Sequence, residues 1–199
     1  IFKELSVIHA GVMDYHKAWE LQRFVFNKVK AGESNDTLIL IEHPHTYTLG
    51  KVTDKANLIA NEEYLSQNGI TVVEIDRGGD ITYHGPGQLV GYPIIDLKKW
   101  KQDSHLYLRQ LEEVLIQTLS GYGISSGRKE GLTGVWIEER KIAAIGIKIS
   151  SWVTMHGFAC NVNTDLAYFG GIIPCGITDK AVTSLHKELN QNIDFEEFK

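Results

Sequence analysis

Two short segments of this 199-residue chain hold side chains whose types and spacing could do chemistry. The first is Ile173-Pro174-Cys175-Gly176-Ile177. Cys175 sits between a proline and a glycine, with Gly170 and Gly171 close before it, and small neighbours of this kind expose a sulfur. The other cysteine, Cys160, follows Phe158-Ala159 in an apolar run and reads as a small buried hydrophobe. A free thiol ionises near pH ~8.5, so little of it is thiolate at neutrality. Lowering that value by ~1.5 units takes roughly 2 kcal/mol of preferential thiolate stabilisation, within reach of one nearby cation in a desolvated site. The candidate cations are Lys141, Lys148, His84 and His156. The two lysines lie an odd number of positions apart, so a regular strand carrying both would turn them to opposite faces, one to a pocket and one to solvent.

The second segment is Arg77-Gly78-Gly79-Asp80-Ile81-Thr82-Tyr83-His84-Gly85-Pro86-Gly87-Gln88. Glycine tolerates positive φ and lets a ligand approach the backbone. Arg77, Tyr83 and His84 add a charge and two hydrogen-bonding rings. The segment reads as a pocket wall, not a phosphate cradle: there is no G-x-x-x-x-G-K-[ST], and Pro86 removes a backbone donor. Gly85 and Gly87 are expected to bend the chain against a ligand, so that a β-carbon there harms binding more than stability. His43-Pro44-His45 suggests a metal, but neither H-x-x-x-H nor C-x-x-C accompanies it, and no metal is expected. No G-x-S-x-G supports a serine nucleophile.

These residues need a scaffold. The chain is 43% hydrophobic and 23% charged, ordinary usage for a globular domain, and its length suits a single domain over 1–199. Two cysteines fit a reducing, cytoplasmic setting better than a disulfide framework. A net charge of −5 argues against nucleic acid as a partner. No apolar run reaches membrane-spanning length, and no basic-then-apolar leader opens the sequence, so no membrane association is expected. Helical spacing of Ala18, Leu21, Val25 and Val29 predicts a helix from Asp14 to Lys30, capped by Asp14. A short helix follows at 61–67. A longer one opens at Ser104 with Leu108, Leu111, Leu115 and Leu119 on one face. Strands are predicted at 37–41, 71–75, 89–97 and 154–162, the third marked by Pro93 as an edge or a bulge. Val135 to Ile137 and Lys141 to Ile149 bracket Glu138-Glu139-Arg140 as a hairpin. Irregular interleaving with hairpins predicts α+β, a mixed sheet flanked by helices.

The segment Arg77 to Gln88 resembles the R-G-G-x-x-T-Y-H-G-P-G-Q signature of the lipoyl(octanoyl) transferase family. Lys141-Ile142-Ala143-Ala144-Ile145-Gly146, His156-Gly157-Phe158-Ala159 and Pro174-Cys175-Gly176-Ile177 resemble its later blocks in order. The resemblance covers at least Thr37 to Leu185. It implies the fold of the biotin/lipoate protein ligase catalytic domain and an octanoyltransferase activity without a cofactor. The implied donor is octanoyl-acyl carrier protein. The implied acceptors are lipoyl domains of 2-oxoacid dehydrogenase E2 subunits and glycine cleavage H protein. By the same resemblance Cys175 is the acyl-thioester nucleophile and Lys141 its partner. Substrate contacts fall on Arg77, Gly78, Gly79, Asp80, Ile81, Thr82, Tyr83, His84, Ala144, Ile145, Gly146, Gly157, Phe158 and Ala159. Two alternatives remain: an ATP-dependent lipoate or biotin ligase on the same fold, which needs no cysteine nucleophile, and a non-catalytic acyl-binding module.

Overall fold

Apolar runs bounded by glycine and polar turns become eleven strands in the computed structural model, which describes residues 4–173 and 181–199. The strands are β1 (Leu5–Val12), β2 (Asp36–Glu42), β3 (Thr46–Leu49), β4 (Thr71–Glu74), β5 (Thr82–His84), β6 (Gln88–Ile94), β7 (Gly127–Lys129), β8 (Leu132–Ile137), β9 (Arg140–Ser150), β10 (Val153–Asn161) and β11 (Ala181–Val182). The larger sheet runs β1-β2-β6-β10-β9-β8-β7, with β11 laid on β9. Its β1–β2 and β9–β11 ladders are parallel, the rest antiparallel. A smaller sheet, β4-β3-β5, joins one parallel and one antiparallel pair. The helices are α1 (Tyr15–Ala31), α2 (Glu62–Gln67), α3 (Ser104–Gly121), α4 (Leu185–Leu189) and α5 (Phe195–Phe198). The fold is α+β with mixed sheets flanked by helices, as the sequence predicts. Among the described residues no helix is long and apolar enough to cross a membrane.

α1 begins where the Asp14 carboxylate accepts from the His16 and Lys17 N–H groups, and it ends on Gly32 at φ 73°. Its Ala18, Val25 and Val29 pack on Ile39, Ile41, Val90 and Ile94 on one face of the larger sheet. α3 covers the other face, where Leu115 and Leu119 meet Val135, Ile142 and Cys160. Its cap is Asp103, which accepts from Leu106 N–H, so the helix opens one residue beyond its cap at Ser104. One expectation needs correction. β6 is central and wholly buried, not an edge. Pro93 lies past the last β6–β10 pair, Gly91 with Phe158, so its missing N–H costs that ladder nothing. Its carbonyl accepts from Thr154 Oγ1 at 2.7 Å. β1, β3 and β5 were not predicted: β1 is a largely exposed edge, and the other two are too short for a period to register.

A buried carboxylate fastens α3 to the β7–β8 side of the sheet. Glu112, fully buried, accepts from Arg109 Nη1 at 2.7 Å, Arg128 Nε at 3.0 Å and the Gly134 N–H at 3.1 Å. Removing it leaves the Gly134 donor buried without a partner, while both arginines reach solvent. Glu112→Ala should therefore cost about 2–3 kcal/mol. A urea unfolding curve checks this: the midpoint should fall while the slope stays unchanged.

Candidate active site

The glycine-rich segment leaves β4, returns as β5, and lies along an edge of β9 that β8 does not cover. β8 pairs with β9 only as far as Ala143. Beyond it, Gly78 N–H donates to the Ile147 carbonyl at 2.9 Å. The approach is close: a β-carbon on Gly146 would stand 2.9 Å from the Gly78 carbonyl oxygen and 3.0 Å from Arg77 Cδ. Arg77 is buried and donates through Nη2 to the Thr48 carbonyl at 2.8 Å and Thr48 Oγ1 at 2.9 Å. Asp80 accepts from Asn57 Nδ2 at 2.6 Å and from the Ile81 N–H at 2.7 Å. Between this wall and the strands lies a cavity of about 390 Å³.

Lys141 enters that cavity because β9 is irregular. Val135 pairs with Ala143 and Trp136 with Lys141, so Ile142 is an extra residue in the ladder. A bulge of this kind reverses the alternation of faces. Ile142 and Ala143 accordingly pack into the same cluster, and Lys141 turns to the face of Ala144 and Gly146. The expectation that Lys141 and Lys148 face opposite ways is wrong for this reason. Lys141 Nζ stands 4.7 Å from the centroid of the Trp136 ring, a cation–π contact. Lys148 is not a solvated surface lysine either: it is ion-paired with Asp76 and about one-third exposed.

Three histidines form the polar wall behind the cavity, and burial keeps all of them neutral near pH 7. His156 Nε2 lies 2.8 Å from Asp76 Oδ1, and an ionised carboxylate only accepts, so Nε2 carries the proton. Burial holds the His156 ring down to about 4, outweighing Asp76. Burial also works to raise the Asp76 carboxyl, but the hydrogen bonds from Lys148 and His156 overcome it and hold the group below its ordinary value. His156 adopts φ 57° inside β10, and its N–H donates to Gln22 Oε1 at 3.0 Å. His43, held down to about 4 by burial, donates through Nδ1 to the Met13 carbonyl and accepts at Nε2 from the Tyr92 hydroxyl at 2.7 Å. His84 is pushed well below the imidazole range by burial and then by His43. None of the three supplies an imidazolium to a thiol.

Lys141, Arg77, Gly78, Gly79, Asp80, Ile81, Thr82, His84, Ala144, Ile145, Gly146, Gly157, Phe158 and Ala159 all border the one cavity. Tyr83 does not. Its ring is buried in the small-sheet core, and its hydroxyl is 2.8 Å from His45 Nδ1. Strand alternation sends Tyr83 away from its neighbours Thr82 and His84. Cys175 lies outside the described residues, as do Pro174, Gly176 and Ile177. Cys160 is fully buried, and burial pushes its thiol up to about 12, so it is no nucleophile. The cavity also takes in Tyr15, Gln88, Tyr92, Leu108 and Asn161, which the sequence reading missed. Alternation from Val90 through Tyr92 was the available signal.

Gly85 and Gly87 do not border the cavity. A β-carbon on Gly85 would enter the Tyr83 ring, and one on Gly87, at φ 77°, would stand 2.8 Å from the Asn163 carbonyl group. These glycines serve packing, contrary to the expected ligand-facing bend. Gly87→Val should lower stability by about 2–4 kcal/mol. Thermal unfolding checks this: a fall of several degrees is expected before any selective loss of ligand affinity.

Comparison with solved structures places the fold. A bi-partite lipoate protein ligase from Thermoplasma acidophilum matches at TM-score 0.75 and 17% identity, over 99% of this chain and 80% of that one. A biotin protein ligase from Aquifex aeolicus, solved with biotin and ATP, matches at TM-score 0.54 and 16% identity, over 99% and 66%. Identities this low establish the fold alone. The sequence matches the lipoyl protein ligase A/B catalytic domain over residues 14–199. It is 50% identical to the octanoyltransferase of Christiangramia forsetii over 98% of this chain and 91% of that protein. It is 55% identical to that of Rubrobacter xylanophilus over 92% and 83%. The chain belongs to the lipoyl protein ligase A/B catalytic domain family and, within it, to the octanoyltransferase enzymes.

Proposed function

We propose that this enzyme, acting as one catalytic domain over 1–199, moves an octanoyl group in lipoate biosynthesis. The donor is octanoyl-acyl carrier protein, and the acceptor is a specific lysine of a lipoyl domain, on a dehydrogenase E2 subunit or glycine cleavage H protein. The setting is the cytoplasm. The observation that carries the reading is the cavity itself, largely strand-walled and apolar, with the Lys141 ammonium entering it beside the glycine wall. Burying about seven methylene-like groups of the acyl tail there is worth at most roughly 5–6 kcal/mol.

The Cys175 thiolate attacks the donor carbonyl. The carrier thiol leaves, protonated by Lys141, and an acyl-enzyme remains. The acceptor amine then attacks the new thioester. Lys141 or water removes its proton, and the Cys175 sulfur departs. Each carbonyl is already activated as a thioester, so no ATP or other cofactor is required. The substrate contacts are the cavity-lining members of Arg77 to His84, Ala144 to Gly146 and Gly157 to Ala159.

Intact-protein mass spectrometry after incubation with octanoyl-acyl carrier protein and no acceptor tests this. The chain should gain one octanoyl group without ATP. An acyl group that appears only with ATP would favour a ligase. Cys175→Ala should abolish both labelling and turnover, while Cys160→Ala keeps most of each. Near-normal turnover in the Cys175 variant would end the covalent mechanism.

Iodoacetamide alkylation of Cys175 across a pH series separates the lysines. An ammonium beside a thiol favours thiolate, so its removal raises the thiol pKa towards ~8.5. The alkylation midpoint should move to higher pH in Lys141→Ala and stay in place in Lys148→Ala. A shift in neither, or only in the second, would rule out the pairing of Lys141 with Cys175.

A further inference from the structure

A line of buried hydrogen bonds runs from the glycine wall to the backbone of Lys141, every one pointing the same way. Arg77 Nη2 donates to Thr48 Oγ1 at 2.9 Å. Thr48 Oγ1 lies 3.4 Å from His84 Nε2. His84 Nδ1 lies 2.8 Å from Gln88 Oε1. Gln88 Nε2 donates to Asn161 Oδ1 at 3.0 Å, and Asn161 Nδ2 donates to the Thr183 carbonyl at 3.0 Å. The Thr183 N–H donates to the Lys141 carbonyl at 2.9 Å.

The directions are forced. Gln88 gives its amide N–H groups to the Tyr83 carbonyl and to Asn161, so its oxygen must accept from His84. His84 Nδ1 therefore carries the ring proton, and Nε2 accepts from the Thr48 hydroxyl. Thr48, His84, Gln88, Asn161 and Thr183 are all buried. Aligned bonds in a low dielectric polarise one another, and an orphaned member there is costly. The far end of the line fixes the junction at which β11 lies on β9, Val182 beside Lys141.

We propose that Thr48, Gln88 and Asn161 are positioning residues for Lys141, holding its strand and the β11 strap in fixed relation to the Arg77 wall. The proposal rests on the reading of Lys141 as the partner of Cys175. Positioning differs from packing in what it predicts. Substitutions that keep the shape but break the line should slow the chemical step, and those away from the cavity should leave donor binding alone.

Thr48→Val isosterically removes the hydroxyl that accepts from Arg77 and donates to His84, and Asn161→Asp removes the donor to Thr183. Octanoyl transfer should show kcat down about tenfold in each, with donor KM within about twofold in Thr48→Val, whose side chain does not border the cavity. The pH midpoint of Cys175 alkylation should rise in the same direction as in Lys141→Ala. Thr48→Ser, which keeps the hydroxyl, should restore most of kcat and the midpoint. Folded Thr48→Val or Asn161→Asp protein with wild-type kcat, with loss confined to KM, or with an unmoved midpoint would overturn the proposal. Should Asn161→Asp fail to fold, Thr48→Val with its serine rescue decides alone. A midpoint that stays put even in Lys141→Ala would instead refute the underlying lysine–cysteine reading, so the two failures are distinct.

Discussion

The site depends on one inserted residue. Without the bulge at Ile142, β9 would present Lys141 to the α3 side of the sheet, among Val135, Ile137 and Ala143. With it, the ammonium shares a face with Ala144, Gly146 and the glycine wall. The neighbouring strand is shaped to allow this. Gly134 on β8 sits at φ 124°, and a β-carbon there would stand 2.6 Å from the Ala143 carbonyl oxygen. Only glycine lets the two backbones approach so closely at the bulge. The Gly134 N–H, turned out of the ladder, is taken by Glu112. A bulge, a glycine and a buried carboxylate on α3 thus form one device.

Around the device, charged side chains are held by specific partners. Arg77 faces the Thr48 carbonyl and hydroxyl. Lys148 is tied to Asp76. The histidines are neutral because burial costs an imidazolium more than their hydrogen bonds return. A wall of neutral rings in directed hydrogen bonds is rigid without being charged. Such a wall suits an uncharged acyl chain.

Much of this was legible in the sequence, and the failures have a common cause. The Asp14 cap, the α3 leucine stripe and the Glu138-Glu139 hairpin follow local rules: side-chain caps, a 3.6-residue period, a tight polar turn. The glycine wall was readable at Gly78 and Gly79, which follow Arg77 between two apolar strands and border the cavity. What failed depends on contacts between distant segments. Parity put Lys141 and Lys148 on opposite faces because a bulge leaves no mark in a run such as Lys141-Ile142-Ala143-Ala144. Gly85 and Gly87 were assigned to a ligand, although Tyr83 and Asn163 fill the space. Tyr83 was grouped with its neighbours in a motif, whereas the strand sends it into the core.

The shared fold sharpens the question of chemistry. Lipoate and biotin ligases match this architecture at identities that carry no residue-level meaning, so the architecture cannot choose between thioester exchange and ATP-dependent ligation. The choice falls to individual side chains. Cys160 is excluded by burial within the apolar cluster that joins the sheet to α3. The other cysteine of the sequence, Cys175, precedes β11 in the chain. β11 pairs directly beside Arg140 and Lys141, so the chain returning from Cys175 is anchored at the lysine. Arg140 adds a second anchor: it binds Glu188 at 3.0 Å, and Glu188 in turn accepts from Thr183 Oγ1 at 2.5 Å. The strap after Cys175 is therefore fixed at Val182 by β9, at Thr183 by Glu188 and Asn161, and at His186 by the Val162 carbonyl. Anchoring the chain at β11, against the strand that carries Lys141, holds these two segments of the fold in one fixed relation.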